Sequence, residues 1–465
     1  MDLRTSTRPL TPRDGIEKLA TFPFALLTWV DADGVPMSAA VQATVDVGSV
    51  SAAFGPPAGL DVRPGSLVSL TGSHIRPQPG FGYDQRRHVT VWGVASEVVD
   101  GRQSMTVQKA WGWDEAEIPF PEYVERTVGQ SRTYFERISQ EQGRRIGPRL
   151  SLGWLALRAT RLPFLSATLI PVGVGIALAS TQGFFDPFTA VVTLLGAASV
   201  HVALNVANDV FDTRLGADDA NVRPTQYSGG SRVIQYGLVS MRGMSTISAS
   251  FYGVAIACGL ILLATNFSWA LLVIGVLGIV LSIEYTAPPL KLVYRGWGEV
   301  TTAVGFGPLM LVGAYVVQSG GTISVEAMAA SVPIAILVAL ILYVNEIPDR
   351  EADARAGKRT LPVIFSQTAV IIGYGLAAAV AFGFIVLAVL AGWLPVLALL
   401  ALVAAPLAWR VFVGMRAAYD QPYALMPVMA TNIRVHLVTG VLLLLAYVLV
   451  IAVDWLAPEV SLYLA

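Results

Sequence analysis

The stretches NVANDVFDTRLGAD at residues 205–218 and NEIPDREAD at residues 345–353 repeat Asn and Asp at helical spacing. At about 100° per residue, Asn205, Asn208, Asp209 and Asp212 fall within an arc of roughly 100°, and Asn345, Asp349 and Asp353 within roughly 80°, with Glu346 beside them. Carboxylate and amide oxygens suit a hard cation. Mg2+ typically takes one or two carboxylates and completes its shell with water and substrate phosphate oxygens. Two such faces turned toward each other would hold Mg2+ against a diphosphate. Arg232 in SGGSRVI, Lys291 in YTAPPLKLVYRGWGE, and Lys358 and Arg359 in GKRT would stabilise a departing diphosphate electrostatically. A single Asp ending an apolar helix only solvates its loop. Two stripes mixing Asn with Asp on one side of the apolar segments point to a site. His201, one turn deeper, reads as a satisfied interior polar residue and is left out of the site. Cys258, the only cysteine, reads as packing and excludes disulfides within the chain and C-x-x-C chemistry.

These residues must be positioned by a chain built for lipid. Of 465 residues, 54% are hydrophobic and 14% charged, where a soluble domain carries about 25% charged residues. Up to Arg161 there are 18 Lys and Arg, and after it 13, although the second part is nearly twice as long. A soluble domain followed by a membrane domain is expected. The net charge of −1 gives no footing for nucleic acid. The start, MDLRTSTRPLTPRDG, has no apolar core of a signal peptide, so the first domain is expected in the cytoplasm.

From about residue 160, nine apolar segments approach the roughly 20 residues that span a bilayer. They lie near 162–180, 188–211, 247–265, 269–285, 300–317, 329–346, 369–391, 393–412 and 437–454. The 13 later Lys and Arg fall in alternate loops, after segments two, four, six and eight. The positive-inside rule then places the N-terminus and both acidic clusters in the cytoplasm and the C-terminus opposite. The first domain, residues 1–150, reads as mixed α/β with much strand. FALLTWV is followed by the hairpin-type turn DADG and by MSAAVQATVDVGSVSAAF, and SLVSLTG and HVTVWGVASEVV add β-branched runs. PEYVERTVGQSRTYFERISQEQG reads as an amphipathic helix, and the basic GRRIGPR leads toward the membrane.

On these residues the membrane part, 155–460, resembles the UbiA superfamily of intramembrane prenyltransferases. NVANDVFD resembles the first Asp-rich motif and NEIPDREAD the second. Within the superfamily, the 1,4-dihydroxy-2-naphthoate prenyltransferases look nearest. Asn205, Asn208, Asp209, Asp212 and Asp218 match their first pattern, and Asn345, Asp349, Asp353, Gly357, Lys358, Thr360 and Leu361 the second. YTAPPLKLVYRGWGEV resembles their Y-T-G-x-P…G-L-G-E loop. Glu346 and Pro348 depart from the second motif, where Asn and Arg are usual, and Gly216 stands where other branches carry a third Asp.

The resemblance implies an all-α bundle of nine transmembrane helices in the cell membrane. It further implies Mg2+-dependent transfer of a polyprenyl group from polyprenyl diphosphate to an aromatic acceptor, 1,4-dihydroxy-2-naphthoate in menaquinone biosynthesis. It assigns Asn208, Asp209 and Asp212 to one metal and Asp349 and Asp353 to another. Arg232, Lys291 and Lys358 would pair with phosphate, Asn205 would orient these groups, and Tyr285 is a pocket candidate. Other acceptors stay open: 4-hydroxybenzoate, homogentisate, a tetrapyrrole or a glyceryl phosphate lipid. From a different class, a membrane transporter also fits intramembrane carboxylates, though transporters place them near mid-bilayer.

The first domain resembles the pyridoxamine 5′-phosphate oxidase-like split barrel, a six-stranded flavin-binding fold. FALLTWVDADGVPMSAAV, RPGSLVSLTG and HVTVWGVASEV carry that likeness. Members bind FMN, a deazaflavin, haem or nothing, often across a dimer interface, which would make this domain a dimer contact. Arg63, Ser69 and Thr71 could contact a cofactor phosphate, but ordinary strand and loop roles fit them better, and no cofactor residue is assigned.

Overall fold

The computed structural model describes residues 10–78, 83–144, 146–147, 151–457, 459 and 462–463. Residues 1–9, 79–82, 145 and 148–150 and part of the C-terminal tail lie outside the described residues. The chain divides into two compact units, Met1–Tyr134 and Phe135–Ala465, the division falling within the helix Phe120–Glu141.

In the first unit, helix α1 (Pro12–Leu19) opens on a capping box, with Thr11 and Asp14 each accepting from the other's backbone N–H. Seven strands follow: β1 (Ala25–Val30), β2 (Pro36–Val41), β3 (Ala43–Asp46), β4 (Ser51–Phe54), β5 (Leu67–Pro77), β6 (Tyr83–Ala95) and β7 (Gln103–Asp114). They form one antiparallel sheet in the order β2-β1-β5-β6-β7-β4-β3. The single run expected after DADG divides into β2, β3 and β4, so the sheet has seven strands where six were expected. Asp46 makes the second break, its Oδ1 accepting from the backbone N–H of Gly48 and Ser49, an Asx-type turn. Alternate residues of β1 face inward, and Leu27, Trp29, Phe54, Leu70 and Met105 are at most 2% exposed. Each such side chain is worth about 1.5–3 kcal/mol in burial.

The second unit is helical. After α2 (Phe120–Glu141), where the two units divide, and α3 (Leu152–Thr160) come α4 (Ser166–Thr181), α5 (Pro187–Leu215), α6 (Met241–Thr265), α7 (Trp269–Glu284), α8 (Gly298–Gln318), α9 (Val325–Asn345), α10 (Gln367–Leu390), α11 (Val396–Ala418) and α12 (Pro422–Leu456). Seven of them, α5, α6 and α8 to α12, are long and apolar enough to cross a membrane, and this is a multi-pass membrane protein. The expected segments 162–180 and 269–285 become α4 and α7, apolar but only 16 residues each. At 1.5 Å per residue these are about 24 Å long, short of the roughly 30 Å hydrocarbon core. By contrast, α12 runs for 35 residues and takes in Arg434, which the sequence places in a loop.

Local features set the approach of the helices. Gly196 of α5 lets α6 come close, since a Cβ there would stand 3.0 Å from that of Cys258, which is buried in this seam. Ser248 of α6 donates to the carbonyl of Ala203 at 2.9 Å. Within α8, the turns Gly305–Val312 are π-helical around Pro308, which lacks an N–H for the regular ladder.

Candidate active site

Both acidic clusters reach one cavity of about 180 Å3. Helix α5 is unbroken through Asp212, so the first stripe forms as its periodicity dictates. Asn208 and Asp209 lie on opposite edges of that stripe, and the protein uses the difference. Asn205, Asn208 and Asp212 line the cavity, whereas Asp209 is turned away from it. Asp209 instead accepts from Arg161 Nη2 at 2.6 Å and from the backbone N–H of Ser231 at 3.2 Å.

The second stripe is not a single helix face. Helix α9 ends at Asn345, a turn follows through Pro348, and a short helix resumes at Arg350–Arg355. Pro348 explains the break, because its missing N–H and ring obstruct a continuing helix. The turn still brings Asn345, Glu346, Asp349 and Asp353 to the cavity wall.

The loop between α5 and α6 joins the clusters. Asn221 Nδ2 donates to Asp349 Oδ1 at 2.8 Å and the Gly229 N–H to Asp349 Oδ2 at 2.8 Å, while Ser231 reaches Asp209. Gly229 and Gly230 have φ of 76° and 75°, a backbone region that disfavours a side chain. A Cβ on Gly230 would stand 2.7 Å from both Asp218 carboxyl oxygens. Gly230→Ala is therefore expected to move this loop and to lower transfer at least tenfold while the protein still inserts. Wild-type rates from this variant in membranes would show that the loop does not brace the clusters.

Asp212 collects three donors: Tyr294 Oη at 2.8 Å, Asn208 Nδ2 at 3.1 Å and Lys358 Nζ at 3.1 Å. Thr286 in turn donates to Asn208 Oδ1 at 2.7 Å. Lys358 Nζ also lies 3.7 Å from Asp353, tying the two clusters through one ammonium. Burial opposes charge on Lys358, yet Asp212 and Asp353 hold its pKa well above the usual lysine value. Burial raises the carboxyls of Asp218 and Asp349 above their ordinary range, and pushes Asp353 up to about 7 against the pull of Lys358.

Five acids line the cavity, Asp212, Asp218, Glu346, Asp349 and Asp353, against two cations, Arg161 and Lys358. The acid excess and the partnerless oxygens, Oδ2 of Asp218 and of Asp353 among the described residues, fit added positive charge. Among the described residues no three His, Cys, Asp or Glu side chains form a ready metal cage. A cation here would draw on Asn208 and on substrate oxygens, as Mg2+ does.

The structure thus gathers Asn205, Asn208, Asp212, Asp218, Tyr285, Asn345, Glu346, Asp349, Asp353 and Lys358. It does not bring Arg232, Lys291 or Arg359 to the cavity wall. The buried Arg232 guanidinium turns instead to the carbonyls of Asp218 and Asn221, bracing the loop. Lys291 sits in a left-handed turn before Leu292 (φ 48°), and Arg359 is exposed. Sequence reasoning missed Arg161, Asn221 and Tyr294. Arg161 had one signal, as the last cation before the first apolar segment.

Beside this cavity lies a larger apolar groove of about 430 Å3 between α5, α6, α7 and α8. The two share His201, Leu204, Tyr285, Thr302 and Phe306 as a common wall. His201 is satisfied there, bonded to Thr168 Oγ1 at 2.6 Å.

Residues 168–429 match the UbiA prenyltransferase family. A 1,4-dihydroxy-2-naphthoate octaprenyltransferase of Bacillus subtilis is 28% identical over 242 residues, covering 52% of this chain and 76% of that protein. The enzyme of the same name in Escherichia coli is 31% identical over 220 residues, covering 45% of this chain and 67% of its own length. Among solved structures, a UbiA homolog from Archaeoglobus fulgidus bound to GPP and Mg2+ aligns with a TM-score of 0.43 at 15% identity, covering 62% of this chain and 99% of that one.

Proposed function

The chain belongs to the UbiA prenyltransferase family, and from that membership and the cavity geometry we propose that it transfers a polyprenyl group from polyprenyl diphosphate to 1,4-dihydroxy-2-naphthoate. The naphthoate acceptor follows the names of its relatives in Bacillus subtilis and Escherichia coli. One observation carries the reading: a charged cavity and an apolar groove share a wall. A donor with an anionic head and a hydrocarbon tail needs that pairing, with its reacting carbon at the junction.

Mg2+ held by Asn208 and Asp212 on one side and by Asp349 and Asp353 on the other would neutralise the diphosphate as it leaves, while Asp209, covered by Arg161 and Ser231, stands outside this set. Lys358 keeps its expected pairing with phosphate oxygens in that reading, and Arg161, which lines the cavity, joins it where Arg232 and Lys291 were expected. The groove holds the tail and keeps water from the allylic cation formed when the C1–O bond breaks. The acceptor ring then attacks C1.

The same proposal covers nine spans, counting α4 and α7, with the N-terminus and both clusters cytoplasmic and the C-terminus opposite. It places the domains at residues 1–150 and 155–460, the first a split barrel of the flavin-binding type able to pair two copies. No catalytic step is assigned to that barrel.

The test is an assay in membranes with Mg2+, a series of prenyl diphosphates and hydroxylated aromatic acceptors, read by mass spectrometry. Prenylated naphthoate is the expected product, and flux across vesicles without any product would overturn the reading. A pH effect is expected as well. Asp353, pushed up to about 7 by burial, is protonated below that pH and must lose its proton to hold a cation. The Mg2+ concentration giving half-maximal rate should rise about fivefold between pH 7 and pH 6. A flat dependence would remove Asp353 from the metal site.

A further inference from the structure

In the wall of the charged cavity, one carboxyl is left without the partners a buried carboxylate needs. Glu346 lines the cavity and is 5% exposed, and among the described residues neither of its oxygens accepts from an N–H or a hydroxyl. Its polar neighbour is another acid, Glu299, in the first turn of α8 and 9% exposed, next in the chain to Gly298, whose Cβ position lies 3.6 Å from Glu346 Oε1. Two like charges buried together resist full ionisation. Lys358 does not resolve the pair, because its ammonium is directed onto Asp212 and Asp353.

A helix-end role would account for Glu299 alone, since an acid in a first turn suits the helix dipole. It does not account for Glu346, which stands just past the end of α9. A diphosphate is also an unsuitable partner, because both are acidic. The surroundings fit a hydroxylated ring instead. Phe306, Leu342 and Ile341 offer apolar walls, and Asn205 and Asn345 each leave one buried amide atom unpartnered among the described residues.

We propose that Glu346 binds a hydroxyl of the aromatic acceptor, and that Glu299 is the positioning residue that holds Glu346 in place beside it. The inference rests on the prenyltransferase reading and names how its acceptor is held. The chemistry balances without an added reagent. As a ring electron pair bonds to C1 and the C1–O pair leaves with diphosphate, the hydroxyl becomes a ring carbonyl and its proton passes to Glu346. When the alkylated ring carbon sheds its proton or its carboxylate (as CO2), the oxygen regains electrons and takes the proton back.

The experiment uses the full-length enzyme in bilayer discs with Mg2+, a prenyl diphosphate, and 1,4-dihydroxy-2-naphthoate or its two mono-methyl ethers. A buried hydrogen bond to a carboxylate is worth at least about tenfold. Methylating one of the two hydroxyls should therefore lower wild-type kcat/KM at least tenfold. Glu346→Gln should lose a similar factor with the parent acceptor and nothing further on methylation. Glu299→Gln should raise the acceptor KM with the donor KM held within about twofold, and Glu299→Asp should recover part of the loss. The proposal is overturned if neither ether is penalised with wild type, a result that needs no variant to fold. An equal penalty in wild type and Glu346→Gln overturns it as well. If wild type transfers to no aromatic acceptor, the prenyltransferase reading fails instead. Calorimetric binding of 1,4-dihydroxynaphthalene, tenfold weaker in Glu346→Gln or unchanged, then still decides the acceptor site.

Discussion

Asp212→Ala is expected to abolish prenyl transfer, lowering kcat/KM by about a thousandfold or more, with Asp349→Ala close behind. Asp212 lines the cavity and gathers donors from Tyr294, Asn208 and Lys358, so its loss disconnects three elements at once. It also removes a carboxylate from the set proposed to bind Mg2+, and roughly 4 kcal/mol of transition-state stabilisation corresponds to that loss. Asp209→Ala should cost less, because Asp209 is covered by Arg161 and Ser231 and does not line the cavity. Single-turnover rates in membranes, with insertion checked by protease protection, separate these outcomes. Full turnover by Asp212→Ala would falsify the metal assignment. Equal losses at Asp209 and Asp212 would show that the stripe acts as one ligand set, whichever edge a residue occupies.

The second large effect is expected at Lys358. Its side chain is 11% exposed and bridges Asp212 at 3.1 Å and Asp353 at 3.7 Å. Lys358→Met keeps much of the volume and removes the charge, leaving two buried carboxyls without their cation. Breaking a buried pair in this way costs about 3–5 kcal/mol, so thermal stability should fall measurably. The rate should fall about a hundredfold to a thousandfold, the usual effect of losing one charge-stabilising donor. The two losses differ in their response to Mg2+. Added Mg2+ can neutralise the carboxylates and recover stability, but it cannot replace an ammonium facing the leaving group. Recovery of both by Mg2+ would reduce Lys358 to a structural counter-ion.

How much of this was legible beforehand differs between the two stripes. The first was readable because α5 runs without interruption from Pro187 to Leu215, so residue spacing converts directly into angle. Even there, one arc could not tell Asp209 from Asp212, since that depends on Arg161 and Ser231 arriving from elsewhere in the chain. The second was readable as composition but not as geometry. Pro348 breaks the helix, and the ligands converge through a turn that periodicity does not describe. The cations show the same limit. Arg232 and Lys291 were chosen for sequence proximity to glycine-rich and basic loops, yet the backbone turns Arg232 inward to carbonyls and leaves Lys291 off the cavity wall.

Residue order alone settled the membrane class, the positions of the apolar helices to within about six residues apart from the early start of α12 at Pro422, and the presence of two oxygen-rich clusters. These follow from local quantities, namely hydropathy summed over a segment and spacing along one helix. Which side chains share the cavity, that it adjoins an apolar groove, and that Glu299 meets Glu346 came from folding. Each depends on where separate helices cross, and the energies that set those crossings are sums over contacts between residues far apart in the chain.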